Sequence, residues 1–311
     1  MKRHIPPSRV EPGHPDHPLL QGLALEITRR AGGETALRLG VAALLRGCID
    51  DVIMTPKTGR RSYDELEKTE KTYIGTRVEI ELRALLGLKR GRLDTVIAGH
   101  DVDIKHTMGG NWMIPSEALG APCLLTAADE TRARAYLGLI VARPGYLSPG
   151  LNRDGKRAIA AGHFADILWL MRDAPYPANF WRSIPEDAIE RIFAGRSGNE
   201  RMATLFREVQ RRPISREVVE AVARQHDFMR RIRADNGRGT RDLLAAEGIL
   251  LLSGQYDAAL LAALRLPACA ATEFLSFRPA TPDQTAIAAA HGITLGASPA
   301  APRWPDDLFS R

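Results

Sequence analysis

Lysine is scarce in this 311-residue chain. It occurs at seven positions, none after Lys156, so Arg supplies 36 of the 43 basic residues. Cysteine is scarcer. Cys48, Cys123 and Cys269 are scattered, which excludes a disulfide framework and a CxxC metal pair. Cys123 and Cys269 have apolar neighbours and are expected in the core. Long hydrophobic runs are missing: the longest clearly apolar stretch, Tyr136 to Ala142, falls far short of the ~20 residues that span a bilayer. The opening Met1-Lys-Arg-His-Ile-Pro-Pro is basic with no apolar stretch behind it, so no secretory signal is expected. A soluble, cytoplasmic protein with no membrane partner is the expectation. There is no Walker loop, no G-x-S-x-G and no H-E-x-x-H.

What remains is an ordinary globular composition, 44% hydrophobic and 26% charged, with net charge +6. The arginine fork suits phosphates and guanine edges. GC-rich coding would inflate Arg, Ala, Gly and Pro alike, so composition alone does not decide. Up to Arg172 the chain has 25 basic and 20 acidic residues; beyond it, 18 and 17. Residues 201–241 hold eleven Arg against five acids, a concentration that suggests a phosphate-facing surface.

The pattern along the chain is α/β. Residues 1–18, rich in Pro and His, read as a loose arm. Helical spacing runs from Leu19 to about Arg46, broken at Gly32-Gly33. Ser62 and Glu65 have capping-box spacing ahead of a helix over roughly 63–87. Short β segments follow at Leu93–Ala98 and Asp101–Lys105, with Gly99-His100 as the turn, then apolar runs at Cys123–Thr126 and Tyr136–Ala142. Three prolines within 172–185 mark a change of composition. The expected domains are therefore 1–172, a linker over 173–185, and 186–311. The last is mainly helical to Ala246, with strands near Gly248–Ser253 and Glu273–Phe277 and a helix near 257–265. The tail from Arg278 has no assignable pattern.

The chemistry-bearing stretch is Leu93-Asp-Thr-Val-Ile-Ala-Gly-His-Asp-Val-Asp-Ile-Lys-His. Alternation puts Asp103 and Lys105 on one strand face. With the turn at Gly99-His100, Val96 pairs with Asp103 and Asp94 with Lys105, so Asp94, Asp103 and Lys105 converge and Asp101 lies at the edge. A one-residue slip would break this convergence. Like charges so close raise each other's pKa. A hard divalent cation relieves that, and Mg²⁺ needs few carboxylates. Lys105 could orient or deprotonate an attacking water and stabilise transition-state charge. An acid from the preceding helix, Glu79 or Glu81, could complete the metal shell. Helical periodicity does not choose between them. The chemistry implied is metal-assisted phosphodiester hydrolysis; the bland alternative is an exposed hairpin with ordinary ion pairs. His100 and His106 lack metal spacing and are expected at the surface. Gly109-Gly-Asn-Trp112 is either a DNA-facing loop or a plain connector.

In the second half, Arg201–Arg212 reads as a helix, Ser215 as an N-cap, Glu217–Gln225 as a second helix and Phe228–Arg233 as the start of a third. Closed by strands, they suggest a winged helix-turn-helix. Val218, Val219, Val222, Phe228, Met229 and Ile232 would form its core. Arg224, Arg230, Arg231 and Arg233 would be left for DNA. The alternative is a solvated bundle with an Arg-rich face.

These residues resemble the NaeI family of type II restriction endonucleases. The matching stretches are Lys68-Thr-Glu-Lys-Thr, Gly75-Thr-Arg-Val-Glu-Ile-Glu-Leu, Ile97-Ala-Gly-His-Asp-Val-Asp-Ile-Lys and Trp112-Met-Ile-Pro-Ser-Glu, then Leu205-Phe-Arg-Glu-Val, Asp227-Phe-Met-Arg-Arg-Ile-Arg and Glu247-Gly-Ile-Leu-Leu-Leu. They span roughly residues 20 to 255. The resemblance implies an N-terminal PD-(D/E)xK endonuclease fold, a mixed sheet with flanking helices, and a mainly α CAP-like winged helix-turn-helix domain. It selects Glu79 over Glu81 and places the active site on Glu79, Asp94, Asp103 and Lys105, with the three acids as Mg²⁺ ligands. It further implies a homodimer that cuts double-stranded DNA at a GC-rich palindrome, activation by a second DNA copy on the C-terminal domain, and pairing with a DNA methyltransferase. Two other readings stand beside it: a DNA-binding regulator on a non-catalytic nuclease-like scaffold, and a repair nickase with the same core.

Overall fold

A computed structural model describes residues 5–225, 227–233 and 237–296; positions 1–4 of the arm and the end of the tail, 297–311, lie outside them. The chain divides into two compact units, Met1–Met54 with Arg60–Ser183, and Thr55–Gly59 with Ile184–Arg311. No described helix is long and apolar enough to cross a membrane.

Helix α1 (His17–Arg30) gives way to α2 (Glu34–Ile53) at Gly32 and Gly33, whose φ values of +84° and +112° suit glycine. Leu20, Leu23 and Ile27, then Leu37, Val41, Leu45, Ile49 and Val52, bury one stripe on each helix. A single turn, α3 (Thr55–Thr58), passes into the second unit. The Ser62–Glu65 capping box forms, but it closes one 3₁₀ turn at Tyr63–Glu65. The long helix α4 (Lys68–Leu85) starts three residues later on a second box, Glu67 with Glu70. It buries Ile74, Val78 and Leu82.

The strands of the first unit are β1 (Thr95–Ile97), β2 (His100–Thr107), β3 (Met113–Ile114), β4 (Pro122–Asp129), β5 (Arg134–Val141), β6 (Leu147–Leu151), β7 (Arg157–Ile159) and β8 (Leu168–Pro175). A mixed sheet runs β1-β2-β4-β5-β8, with β2 and β4 parallel and the other neighbours antiparallel. Every residue of β4 is buried, as expected for a central strand covered on both faces. On one face Leu124 and Ala128 meet the α1, α2 and α4 stripes. On the other, Cys123, Leu125 and Ala127 pack with Trp112, Tyr136, Phe164 and Ile167. A small second sheet has the order β3-β7-β6.

Two boundaries differ from the sequence reading. Residues 5–16 are tied down: Ile5 and Val10 are buried, Arg9 pairs with Asp166 at 2.6 Å, and Asp16 accepts from Arg143 at 2.5 Å. The expected linker is also partly core. Residues 173–175 finish β8, and Asn179 and Trp181 are buried, so the units separate at Ser183/Ile184.

The second unit contains α5 (Glu186–Ala194), α6 (Gly198–Glu208), β9 (Ile214–Ser215), α7 (Arg216–Ala223), α8 (Phe228–Ile232), α9 (Thr240–Ala246), β10 (Leu250–Ser253), α10 (Ala258–Ala263), β11 (Glu273–Phe277) and α11 (Pro282–Ala290). Ser215 caps α7 through the Val218 amide. Val219, Val222, Phe228 and Ile232 are buried as expected; Val218 and Met229 are only partly so. The strands form an antiparallel sheet in the order β10-β11-β9. Leu250, Leu252, Leu275 and Phe277 pack with Leu260 of α10, Leu264 just after it and Ala288 of α11. Early in the unassigned tail stands helix α11, capped by Thr281 and Gln284. Cys269 is half-buried, against the core expectation, whereas Cys123 is fully buried.

Candidate active site

The β1–β2 hairpin turns at Ala98-Gly99, with φ of +48° and +82°, the backbone of a two-residue type I′ turn. Its pairs are Ile97↔His100, Val96↔Asp101 and Thr95↔Val102. The expected turn, Gly99-His100, is therefore displaced, and every partner moves by two residues. A shift of two preserves the face, so the convergence survives the wrong register.

Asp94 stands just before β1. Its Oδ2 accepts from the Ile104 amide at 2.6 Å and from Lys105 Nζ at 3.4 Å. Lys105 Nζ donates to Asp103 Oδ1 at 2.7 Å and to the Ile104 carbonyl at 3.0 Å. Both acids and the lysine thus meet. Burial pushes the Asp103 carboxyl up to about 6, with Asp94 adding to the rise and Lys105 opposing it. Burial pulls the Lys105 ammonium down, but the hydrogen bond and charge of Asp103 outweigh it, and its pKa ends above the usual lysine value. Beneath them, in register on β4, Cys123 Sγ lies 4.0 Å from Asp103 Oδ2. Burial raises the thiol far above its ordinary range, so it stays protonated.

Helix α4 carries the third acid. Glu79 pairs with Arg83 at 3.2 Å, and Arg83 Nη1 also donates to the Asp94 carbonyl at 2.9 Å. Burial raises the Glu79 pKa, and the negative charge of Asp94 raises it further. Glu81 instead pairs with Arg77, which is also bound to Asp51 at 2.5 Å. Arg77, Glu81 and Asp51 line a groove of about 410 Å³ between α2 and α4, together with Gly40, Gly47 and Leu85. Among the described residues, no three His, Cys, Asp or Glu side chains gather closely enough to form a metal cage. Two carboxylates and a main-chain carbonyl around one lysine fit a hard cation that retains its waters, and do not fit a closed all-protein shell.

His100 is exposed, as expected, whereas His106 is half-buried. Its ring contacts Thr126 Oγ1 at 3.0 Å and Met108 S at 3.2 Å, and burial pushes its pKa down to about 4. The Gly109–Trp112 segment links β2 to β3. Asn111 exchanges hydrogen bonds with the Ile159 backbone, and buried Trp112 donates to the Thr126 carbonyl.

In the second unit the arginines divide. Arg201 is buried and its guanidinium ties the carbonyls of Val222, Ala223 and Gly195. Arg207 pairs with Glu247, Arg241 with Asp257 and Arg231 with Asp227. Arg224 ends α7 in the left-handed region, its guanidinium over the Phe193 ring. Arg230, Arg233 and Arg238 are exposed, with no ion pair among the described residues. The charge density in sequence overstates what is free to meet a ligand, because it does not tell inward arginines from outward ones.

Sequence reading overlooks Arg83 and leaves Asp101 at the margin. Arg83 stands four residues after Glu79, the spacing at which helix neighbours pair. Nothing in the sequence points to Cys123 under Asp103.

Known proteins give the class. A family model described as "Restriction endonuclease NaeI" matches residues 38–294, reaching beyond the stretches that carry the resemblance in sequence. The chain is thus a DNA-cleaving hydrolase, a site-specific endonuclease of restriction type. A curated relative, the type II restriction enzyme NaeI of Lentzea aerocolonigenes, is 37% identical over 223 residues, covering 69% of each chain. The chain belongs to the NaeI restriction endonuclease family. Type II restriction enzymes generally use a divalent metal ion.

Proposed function

We propose that the first unit cuts double-stranded DNA at a GC-rich palindrome with Mg²⁺, using Asp94, Asp103 and Lys105, with Glu79 from α4. The observation that carries this reading is the single ammonium of Lys105 shared between two carboxylates on neighbouring segments. Asp94 and Asp103 would hold the ion, and Glu79 would reach it directly or through water. When bound, Mg²⁺ supplies Lewis-acid polarisation of the phosphate and a more nucleophilic water. Lys105 keeps its proton, because two acids stabilise its charged form. That favours charge stabilisation over proton removal from the attacking water. Its three protons have three acceptors, and the Asp94 contact, the longest, is the easiest to exchange for a phosphate oxygen. Hydrolysis forms the bond from water oxygen to phosphorus as the bond to the departing sugar oxygen breaks.

The second unit is read as the winged helix-turn-helix domain, binding an activating second DNA copy. What supports this reading is a set of short helices, α6, α7 and α9 among them, beside a small antiparallel sheet, β10-β11-β9. Arg230 and Arg233, exposed, are its phosphate contacts, with Arg224 and Arg231 beside them. The active form is a homodimer, as a palindrome requires two matched half-sites, and host DNA is protected by a cognate methyltransferase. The test is digestion of plasmids bearing one or two copies of the mapped site, with and without added site-bearing duplex, followed by sequencing of the ends. Discrete ends at one palindrome, and faster cutting of the two-site plasmid, are expected. Equal rates on both plasmids, unaffected by added duplex, would remove the effector role.

A further inference from the structure

Asp94 is not on a strand. It ends an irregular segment, residues 91–94, that must be held for its carboxylate to reach Ile104 and Lys105. Two side chains from different elements hold it. From β2, Asp101 Oδ1 accepts from the Arg92 amide at 2.7 Å and from the Leu93 amide at 3.4 Å. From α4, Arg83 takes the Asp94 carbonyl at 2.9 Å while its guanidinium faces Glu79 at 3.2 Å. Gly91 makes room: a Cβ there would collide with Asp101 Oδ1 and lie 2.8 Å from the Thr95 carbonyl oxygen.

We propose that Asp101 and Arg83 are positioning residues of the active site, a clamp that fixes Asp94 and couples it to Glu79. Neither needs to touch the metal or the DNA. Asp101 organises the two amides immediately before Asp94. Arg83 links the backbone of one acid to the side chain of another, so displacing it loosens both. Side chains that orient metal ligands from behind typically change metal affinity or activity 10- to 100-fold when removed. Asp101 serves as an acceptor of two neutral N–H groups, so its oxygen matters more than its charge. Arg83 makes both contacts through one nitrogen, Nη1, so a cationic donor at that place matters more than the guanidinium plane.

The inference rests on the proposed metal-site reading of Asp94, and the experiment separates the two. Mn²⁺ binding to the full-length protein without DNA is measured by calorimetry or by paramagnetic resonance, beside the Mg²⁺ dependence of plasmid cleavage and a thermal melt. Asp101→Ala and Arg83→Ala should weaken Mn²⁺ binding about 10-fold or more and move the Mg²⁺ activation curve to higher concentration. Asp101→Asn should restore most of the affinity, and Arg83→Lys part of it, since one cationic nitrogen makes both contacts. Gly91→Ala should mimic Asp101→Ala. If Asp101→Ala fails to fold, Arg83→Ala and Gly91→Ala carry the same test. Wild-type Mn²⁺ affinity in folded Asp101→Ala or Arg83→Ala, while Asp94→Asn loses it, overturns the clamp alone. An Asp94→Asn protein that binds Mn²⁺ normally overturns the metal-site reading and the clamp with it.

Discussion

The Ile104 amide donates to the Asp94 carboxylate at 2.6 Å. The residue between the second acid and the lysine therefore fixes the carboxylate end of the first acid, whose backbone Asp101 and Arg83 hold. Ile104 turns its side chain into the core beneath α4, and its backbone into the site. Any change that shifts this strand moves all three groups together.

Divalent ions should separate binding from chemistry. Mn²⁺ should support cleavage, because it accepts the same oxygen donors in similar geometry. Ca²⁺ should support DNA binding without turnover, since its larger and looser shell places water poorly. Cleavage assays and gel shifts in each ion check this, and brisk cleavage in Ca²⁺ would count against the carboxylate site.

His106 predicts an acid limit to stability. Its folded pKa, about 4, lies below the ordinary histidine value near 6.5. The unfolded chain therefore binds more protons between those values, and stability falls as pH drops through that window. The loss reaches at most about 3 kcal/mol. Denaturant melts at pH 7 and pH 4.5 should show His106→Gln losing less stability on acidification than wild type.

Much of this site is legible in the sequence because strand alternation depends only on odd and even positions. Asp103 and Lys105 share a face whatever the turn, and a register error of two leaves Asp94 beside them. Burial is harder to read. His106 lies between polar-looking neighbours, yet α4 comes so close at Gly75 that a Cβ there would be 4.0 Å from it. The Ala-rich α11 lacks an apolar stripe, so only its Thr281–Gln284 cap marks it. The opening arm looks loose in sequence because its anchors, Asp166 and Arg143, are more than a hundred residues away.

Arg201 and Arg233 should behave differently, although both belong to the same basic segment. Arg201→Ala leaves three carbonyls without their donor and should cost about 3 kcal/mol or more in stability. Arg230→Ala with Arg233→Ala should leave stability nearly unchanged. It should reduce the slope of log affinity against log salt by up to about 0.9 for each phosphate no longer neutralised. Anisotropy titrations of duplex DNA over a salt series measure this; an unchanged slope would place these arginines away from DNA.

The Ala98 turn stores strain, with a Cβ-bearing residue at φ +48°. Ala98→Asn or Ala98→Gly should stabilise the protein by roughly 0.5–1 kcal/mol, since both tolerate the left-handed region better. Chemical denaturation decides it. A loss of stability would mean that the Ala98 methyl group makes a packing contribution larger than the strain.

Plasmid cleavage in Mg²⁺ by wild type, Asp103→Ala and Lys105→Ala, each shown to be folded and to bind specific DNA, tests the central claim most directly. Wild type should give discrete ends at one sequence. Each variant should cut at least about 10²-fold more slowly, the scale of losing a positioned catalytic group. Wild-type rates in either variant would contradict the assignment of the active site to this hairpin.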